Sequence, residues 1–265
     1  MKTEESKLYT SVEAYLNGPA GMNNEVGMWA VSAGILLKEI VKRGLNTQYG
    51  GLHQYLGPEV RSSLPVCSIL DMCSGPGNFP NYLSLVSDKI RVVGIDINHL
   101  FIEAGNKRFN QYGWQFIEAD ACSIDLKRKF DFVTASSAYH HIEDKSKIAF
   151  LRNIKRHLVP SGKVVICENF LPRYTSQKDR VKAVKTYYLL LDEYFRIGNA
   201  TKESLKAIKE VGELELSKIE EHKVDFQRFK QHIKKSGLEL ELDIPIWQPS
   251  SFKQSNAGSH VLLLK

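Results

Sequence analysis

The stretch Ser68-Ile69-Leu70-Asp71-Met72-Cys73-Ser74-Gly75-Pro76-Gly77-Asn78 decides how this chain is read. Residues 66–72 are an apolar run of strand length, and they lead through small residues into a helix-length segment. Strand, glycine turn, helix is the context that a nucleotide-binding loop requires. Gly75 and Gly77 are expected to let backbone approach a ligand where a Cβ would collide. A glycine loop alone is a weak signal, and its continuation along the chain decides whether it counts.

Asp96 closes the next apolar run, Val92-Val93-Gly94-Ile95. A carboxylate at the end of a second strand can accept hydrogen bonds from ribose hydroxyls. Asp120 closes a third run in Phe116-Ile117-Glu118-Ala119-Asp120-Ala121, where it can accept from an exocyclic adenine amine. Parallel sheets bind ligands beyond the carboxyl ends of their strands, so Asp71, Asp96 and Asp120 are expected to converge on one crevice. Each acid taken alone also reads as a helix cap, Asp120 more readily than Asp96.

Outward from the loop, strands are expected at 66–72, 91–95, 115–118, 130–135 and 163–167, alternating with amphipathic helices. Ile148, Leu151, Ile154 and Leu158 stripe one helix, which Pro160-Ser161-Gly162 is expected to end. Such alternation predicts βαβ units and a parallel sheet covered on both faces. Before the loop, Trp29, Ser32, Leu36 and Ile40 recur at helical spacing, with Gly44 as C-cap after Lys42 and Arg43. After Phe170 the regularity stops. Val181, Val184, Tyr188, Leu191 and Phe195 form a stripe, and a Lys/Glu-rich helix starts near Thr201. A helix at 224–235 capped by Gly237 and strands at 238–244 and 260–264 close the pattern.

The series Leu70-Asp71-x-x-Ser74-Gly75-Pro76-Gly77, Gly94-Ile95-Asp96, Glu118-Ala119-Asp120-Ala121, Phe130-Asp131-x-Val133 and Leu158-Val159-Pro160-Ser161-Gly162 resembles the motif ladder of class I S-adenosylmethionine-dependent methyltransferases. It covers residues 66–170 and, more loosely, 238–264. The resemblance implies an α/β, Rossmann-like, seven-stranded, mostly parallel sheet with helices on both faces and a reversed final hairpin. It implies S-adenosyl-L-methionine as cofactor. Asp71, Cys73, Ser74, Gly75 and Gly77 would then hold the methionine portion, Asp96 the ribose, and Asp120 with Ala121 the adenine, with Asn78 and Ile97 as further cofactor contacts. Ser136, at the end of the fourth strand, joins this cofactor-binding set. Cys73 stands where the family pattern often has glycine, so the first turn of the loop carries a side chain.

On this reading residues 1–60 are an N-terminal helical lid segment. Residues 61–265 are the cofactor-binding domain, with a helical insertion at about 173–220. The methyl acceptor is expected beside Ser136-Ser137-Ala138-Tyr139-His140-His141, after the fourth strand. His140, the favoured candidate, or His141 is the expected general base, because imidazole titrates near neutral pH; each reads equally as a loop-orienting or solvated histidine. Tyr139, Glu168 and Tyr188 are the candidate substrate contacts, with core packing or capping as the plain alternative. Tyr187, Tyr188 and Tyr194 could roof a planar acceptor.

Composition narrows the partners. The formal charge is +6 and the Lys and Arg residues are dispersed, which favours a solvated surface and a small-molecule substrate over a nucleic-acid footprint. Cys67, Cys73, Cys122 and Cys167 form no CxxC pair, so neither a disulfide framework nor a metal site is expected. The polar opening Met1-Lys2-Thr3-Glu4-Glu5-Ser6 has no signal-peptide core, and residues 28–37 are too few for the ~20 that cross a bilayer. A cytoplasmic protein without membrane partners is expected; oligomeric state is open. Three alternatives stay open: an RNA methyltransferase, a non-catalytic cofactor-binding partner subunit, and a nicotinamide-dependent dehydrogenase. The last lacks a third loop glycine, since Pro80 ends the segment.

Overall fold

The computed structural model describes residues 23–44, 65–85, 87–219 and 221–265. Expectations for residues 1–22 and 45–60 lie outside the described residues. Seven strands form one sheet: β1 (Cys67–Met72), β2 (Ile90–Asp96), β3 (Gln115–Glu118), β4 (Phe130–Ser136), β5 (Leu158–Phe170), β6 (Leu240–Trp247) and β7 (Gly258–Leu264). Their spatial order is β3-β2-β1-β4-β5-β7-β6. β1 through β5 pair in parallel, and β7 runs antiparallel to both β5 and β6. The strand order reverses between β1 and β4, the switch point at which such sheets open a crevice.

Alternate residues of the strands feed two cores. Ile69, Val92, Phe132, Val165 and Val261 face one side, where α1 (Asn23–Gly44), α2 (Asn78–Ser84) and α3 (His99–Phe109) cover them with Leu36, Ile40, Leu83 and Ile102. Leu70, Val93, Val133, Val164 and Leu262 face the other, against α4 (Lys147–Arg156) and α7 (Phe226–Ser236) with Phe150, Ile154, Phe229 and Ile233. β7 is buried along all seven residues, as a strand sandwiched between helical layers must be. α5 (Gln177–Ile197) and α6 (Lys202–Ser217) pair with one another and build a third cluster around Tyr187, Leu191, Phe195, Ile208, Trp247 and Phe252.

The predicted ladder of strands matches the structure in order, with differences at strand ends: β6 and β7 run 240–247 and 258–264, against the expected 238–244 and 260–264. Leu158 belongs to β5 rather than to the preceding helix, which ends at Arg156. β5 begins before Pro160 because a register shift opposite Phe130–Phe132 lets the strand pass the proline without a ladder hydrogen bond from it. The N-terminal helix is integral to the core: Met28, Leu36 and Ile40 are buried on the sheet, and Arg43 is fixed by Asp131 Oδ1 at 3.1 Å and Ser161 O at 2.6 Å.

Candidate functional site

The carboxyl ends of β1 to β4 and the first turns of α1 enclose one cavity of about 420 Å³, inside the ~300–1,000 Å³ range of small-ligand sites. The three acids singled out in the sequence all line it: Asp71, Asp96 and Asp120. So do Cys73, Ser74, Gly75, Asn78, Ile97, Ala121, Ser136 and His141.

The loop after β1 is held open by backbone chemistry. Ser74 N–H donates to Ile95 O at 2.8 Å, which ties the loop to β2. Asp96 reinforces the tie: Oδ2 accepts from Gly75 N–H at 2.8 Å and Oδ1 from Asn98 N–H at 2.9 Å. Each carboxylate oxygen has a second lone pair, so Asp96 keeps acceptor capacity for a ligand hydroxyl. Burial raises its carboxyl above the ordinary carboxylate value, opposed by those N–H donors and by His141. Asp71 is buried at the centre of the sheet end, with Thr134 Oγ1–H donating to Oδ1 at 2.6 Å. Burial carries its carboxyl up to about 7 despite that hydrogen bond. Asp120 accepts from Cys122 N–H and Ser123 Oγ–H, both at 2.8 Å, so it caps its own turn while facing the cavity.

Gly77 is tightly packed and does not line the cavity. It caps α2 at φ 85°, and a Cβ there would stand 2.4 Å from Phe109 Cε2. Cys73 adopts φ 56°, the left-handed region that glycine favours, which accounts for the glycine usual at that point of the pattern.

Four other expected residues stand behind the cavity. His140 is buried, its Nδ1 2.6 Å from Glu168 Oε1, and the adjacent His141 is the histidine that lines the cavity. Burial holds the His140 imidazole well below its usual range, so it is neutral near pH 7. Glu168 sits under it and accepts from the N–H groups of His140 and Asn169, with burial raising its carboxyl. Tyr139 is core: its hydroxyl pairs with His232 Nδ1 at 2.6 Å, and its ring packs edge-on to Phe229. Tyr188 lies on α5 against Tyr187 and Gly212, and no residue of α5 or α6 lines the cavity.

Sequence reading did not single out Glu25, Phe79, Asn98, Phe101, Cys122, Ser137, Ile142, Glu143 and Ser146 as lining residues, nor Trp29 beyond its place in a helical stripe. One signal was readable: Glu25 and Trp29 are four apart, hence on one face of α1. Trp29 Nε1–H donates to Ser136 Oγ at 2.8 Å, and Glu25 Oε1 accepts from Ser137 Oγ–H at 2.8 Å. The two bonds clamp α1 to the end of β4.

Beneath His141 lies a buried ionic group. Glu221 pairs with Lys223 through Oε2, and its Oε1 is 3.8 Å from His141 Nδ1. Burial would push the Glu221 carboxyl up, but Lys223, His140 and His141 outweigh it and hold it at about 2. Lys223 also reaches Glu215, which pairs with the fully buried Arg180. Lys147, fully buried, donates to Tyr139 O at 2.7 Å.

Comparison with known proteins agrees with this architecture. A family model described as a methyltransferase domain matches residues 69–162. Over 122 residues the chain is 29% identical to a ubiquinone/menaquinone biosynthesis C-methyltransferase, UbiE, of Shewanella frigidimarina, which is 44% of this chain and 48% of that protein. The chain thus spans about half the length of the curated relatives it matches. A crystal structure of an S-adenosylmethionine-dependent methyltransferase from Clostridium acetobutylicum superposes over 99% of this chain and 97% of its own, with TM-score 0.57 and 11% identity. An O-methyltransferase from neocarzinostatin biosynthesis, NcsB1, solved with S-adenosyl-L-homocysteine and 1,4-dihydroxy-2-naphthoic acid, superposes over 88% of this chain and 56% of its own, with TM-score 0.50 and 12% identity. At such identities the superpositions speak for the fold. Among the described residues no helix is long and apolar enough to cross a membrane. The matched segment carries the loop and all three strand-end acids, so residues 69–162 form a methyltransferase domain, on a sheet with the fold of S-adenosylmethionine-dependent methyltransferases.

Proposed function

We propose that this chain transfers the methyl group of S-adenosylmethionine to a small, planar organic acceptor enclosed between the sheet and α1. The observation that carries the reading is the convergence of Asp71, Asp96 and Asp120 on one cavity whose far wall is Glu25 and Trp29 of α1. The residues fit the cofactor. Asp96 retains acceptor capacity for ribose hydroxyls, Asp120 faces the cavity at the third strand end for adenine, and Asp71 offers a carboxylate to a cationic methionine portion. Gly75, Ser74, Cys73 and Asn78 contribute the walls between them.

The cofactor supplies a methylsulfonium, an electrophile that needs no further activation. The chain must therefore align the acceptor and exclude water, and orientation of this kind is worth ~7–11 kcal/mol. Trp29, Phe79 and Phe101 offer aromatic walls for a flat acceptor. The names of the relatives support that acceptor class: one is a quinone-biosynthesis C-methyltransferase and another binds a dihydroxynaphthoic acid. His141, with its side chain at the cavity wall, is placed to take a proton from an acceptor hydroxyl. His140 positions it from behind, fixed by Glu168. α1 is the wall that sets specificity, while α5 and α6 brace the far end of the sheet.

The test is formation of S-adenosylhomocysteine with a panel of hydroxylated aromatic acceptors, including quinols and dihydroxynaphthoates. The reading expects turnover with at least one member of the panel. It also expects His141→Ala to lose turnover at least ~100-fold while S-adenosylhomocysteine binds as before. A chain that binds the cofactor yet methylates no member of the panel, RNA being the further control, contradicts it.

A further inference from the structure

We propose that His140, His141 and Glu221 form a binding site for one divalent transition-metal ion at the edge of the acceptor cavity. One ligand atom from each residue lies within 4.8 Å of the others, and His140 and Glu221 are buried while His141 is half-buried. The fold makes the cluster: a short 3-10 turn, Tyr139–His141, follows β4, and His222 N–H donates to His140 O at 2.7 Å, drawing the Glu221 segment onto that turn.

The donor set has the chemistry of a metal site. His140 gives Nδ1 to Glu168 Oε1 at 2.6 Å, which fixes the tautomer and ring orientation and leaves Nε2 as a lone-pair donor. A carboxylate behind a ligating histidine is the usual support of such ligands. Glu221 divides its oxygens: Oε2 takes Lys223, while Oε1 is the one 3.8 Å from His141 Nδ1. With metal–ligand bonds of ~2.0–2.2 Å, ligand atoms should stand about 3–3.5 Å apart, so side-chain shifts of about 1 Å close the set. Two imidazoles and one carboxylate suit zinc or ferrous iron and leave coordination positions open. Lys223 is the competitor already in place on Glu221, so affinity should be modest rather than extreme.

Sequence spacing hid this site, because two adjacent histidines and a glutamate eighty residues later match no ligand motif. Its role rests on the methyl-transfer reading above; its existence does not. In that role the ion replaces His141 as the activating group, since the imidazole lone pair is then held by the metal: the acceptor's hydroxyl oxygen occupies an open position and its proton passes to a water at the cavity mouth before the acceptor closes the site. The oxygen–methyl bond then forms as the methyl–sulfur bond breaks, and the bonding pair stays on sulfur as the neutral thioether.

The test uses the tag-free full chain, without cofactor or acceptor. Zn²⁺ binding is followed by calorimetry, and Co²⁺ binding by its visible absorption. One equivalent should bind the wild type. Affinity should fall at least ~10-fold in Glu221→Gln and in His141→Gln, each checked for native circular dichroism. His141→Gln changes a half-buried side chain at the cavity wall, so it decides the matter if Glu221→Gln does not fold. No stoichiometric binding in the wild type, or unchanged binding in the folded variants, overturns the site. Either result leaves S-adenosylhomocysteine binding as a separate measurement.

Discussion

Asp96 Oδ2 accepts the N–H of Gly75 at 2.8 Å, so the acid at the end of β2 also holds the glycine loop that follows β1. One side chain thereby shapes the loop and faces the cavity. Asp96→Ala should remove both effects and weaken S-adenosylhomocysteine binding by ~1.5–3 kcal/mol, the range for hydrogen bonds to charged groups. Asp96→Asn, which keeps one acceptor oxygen, should fall between. Titration calorimetry of the two variants checks the order.

On the proposed reading, Asp71 makes cofactor binding depend on pH. Burial raises its carboxyl from 3.8 to about 7, so the folded chain holds a proton that the unfolded chain releases. Stability from this group is present below pH 4 and is lost as pH rises towards 7. A cationic ligand reverses the preference and favours the ionised form. S-adenosylmethionine affinity should therefore rise between pH 6 and pH 8, approximately tracking the ionised fraction. Asp71→Asn should flatten that rise and remove the loss of stability between pH 4 and 7. Calorimetry across pH and urea melts at the same values measure the two halves.

Cys73 occupies a left-handed backbone position at φ 56°. A β-branched residue is least tolerant of that region. Cys73→Val should cost ~2 kcal/mol or more of unfolding free energy, whereas Cys73→Gly should stay within ~1 kcal/mol of wild type. Urea denaturation distinguishes them; equal losses would mean that thiol packing, and not backbone, governs the position.

Gly77 has no room for a methyl group. A Cβ would meet the Phe109 ring at 2.4 Å, and φ is 85°. Gly77→Ala should cost at least ~2 kcal/mol. Phe109→Leu in the same chain should recover part of the loss, leaving the backbone share. Thermal melts of the single and double variants read the coupling.

The frame was legible because period and punctuation agree. Ile69, Leu70, Val92, Val93, Val133 and Val164 sit in continuous apolar runs, as strands buried on both faces require. The strand-end acids were legible because a parallel sheet brings them to one edge whatever the loops do. Contacts between distant segments were not. Nothing local to His140 says that Glu168 lies beneath it, or that Glu221 approaches His141; those depend on how β5 and the segment after α6 pack. Tyr139 and Tyr188 look alike in sequence to a cavity-lining tyrosine. Phe229, His232 and Gly212 consume their surfaces instead. Glu25 and Trp29 were readable as one helix face, but their partner, the end of β4, was not.

The most direct test of the account is titration of the purified chain with S-adenosylhomocysteine, with NAD as control and Asp96→Ala in parallel. The account predicts one molecule of S-adenosylhomocysteine bound per chain, weakened at least ~10-fold in the variant, and no binding of NAD. Absence of S-adenosylhomocysteine binding, or binding of NAD in its place, would contradict the assignment of the cavity.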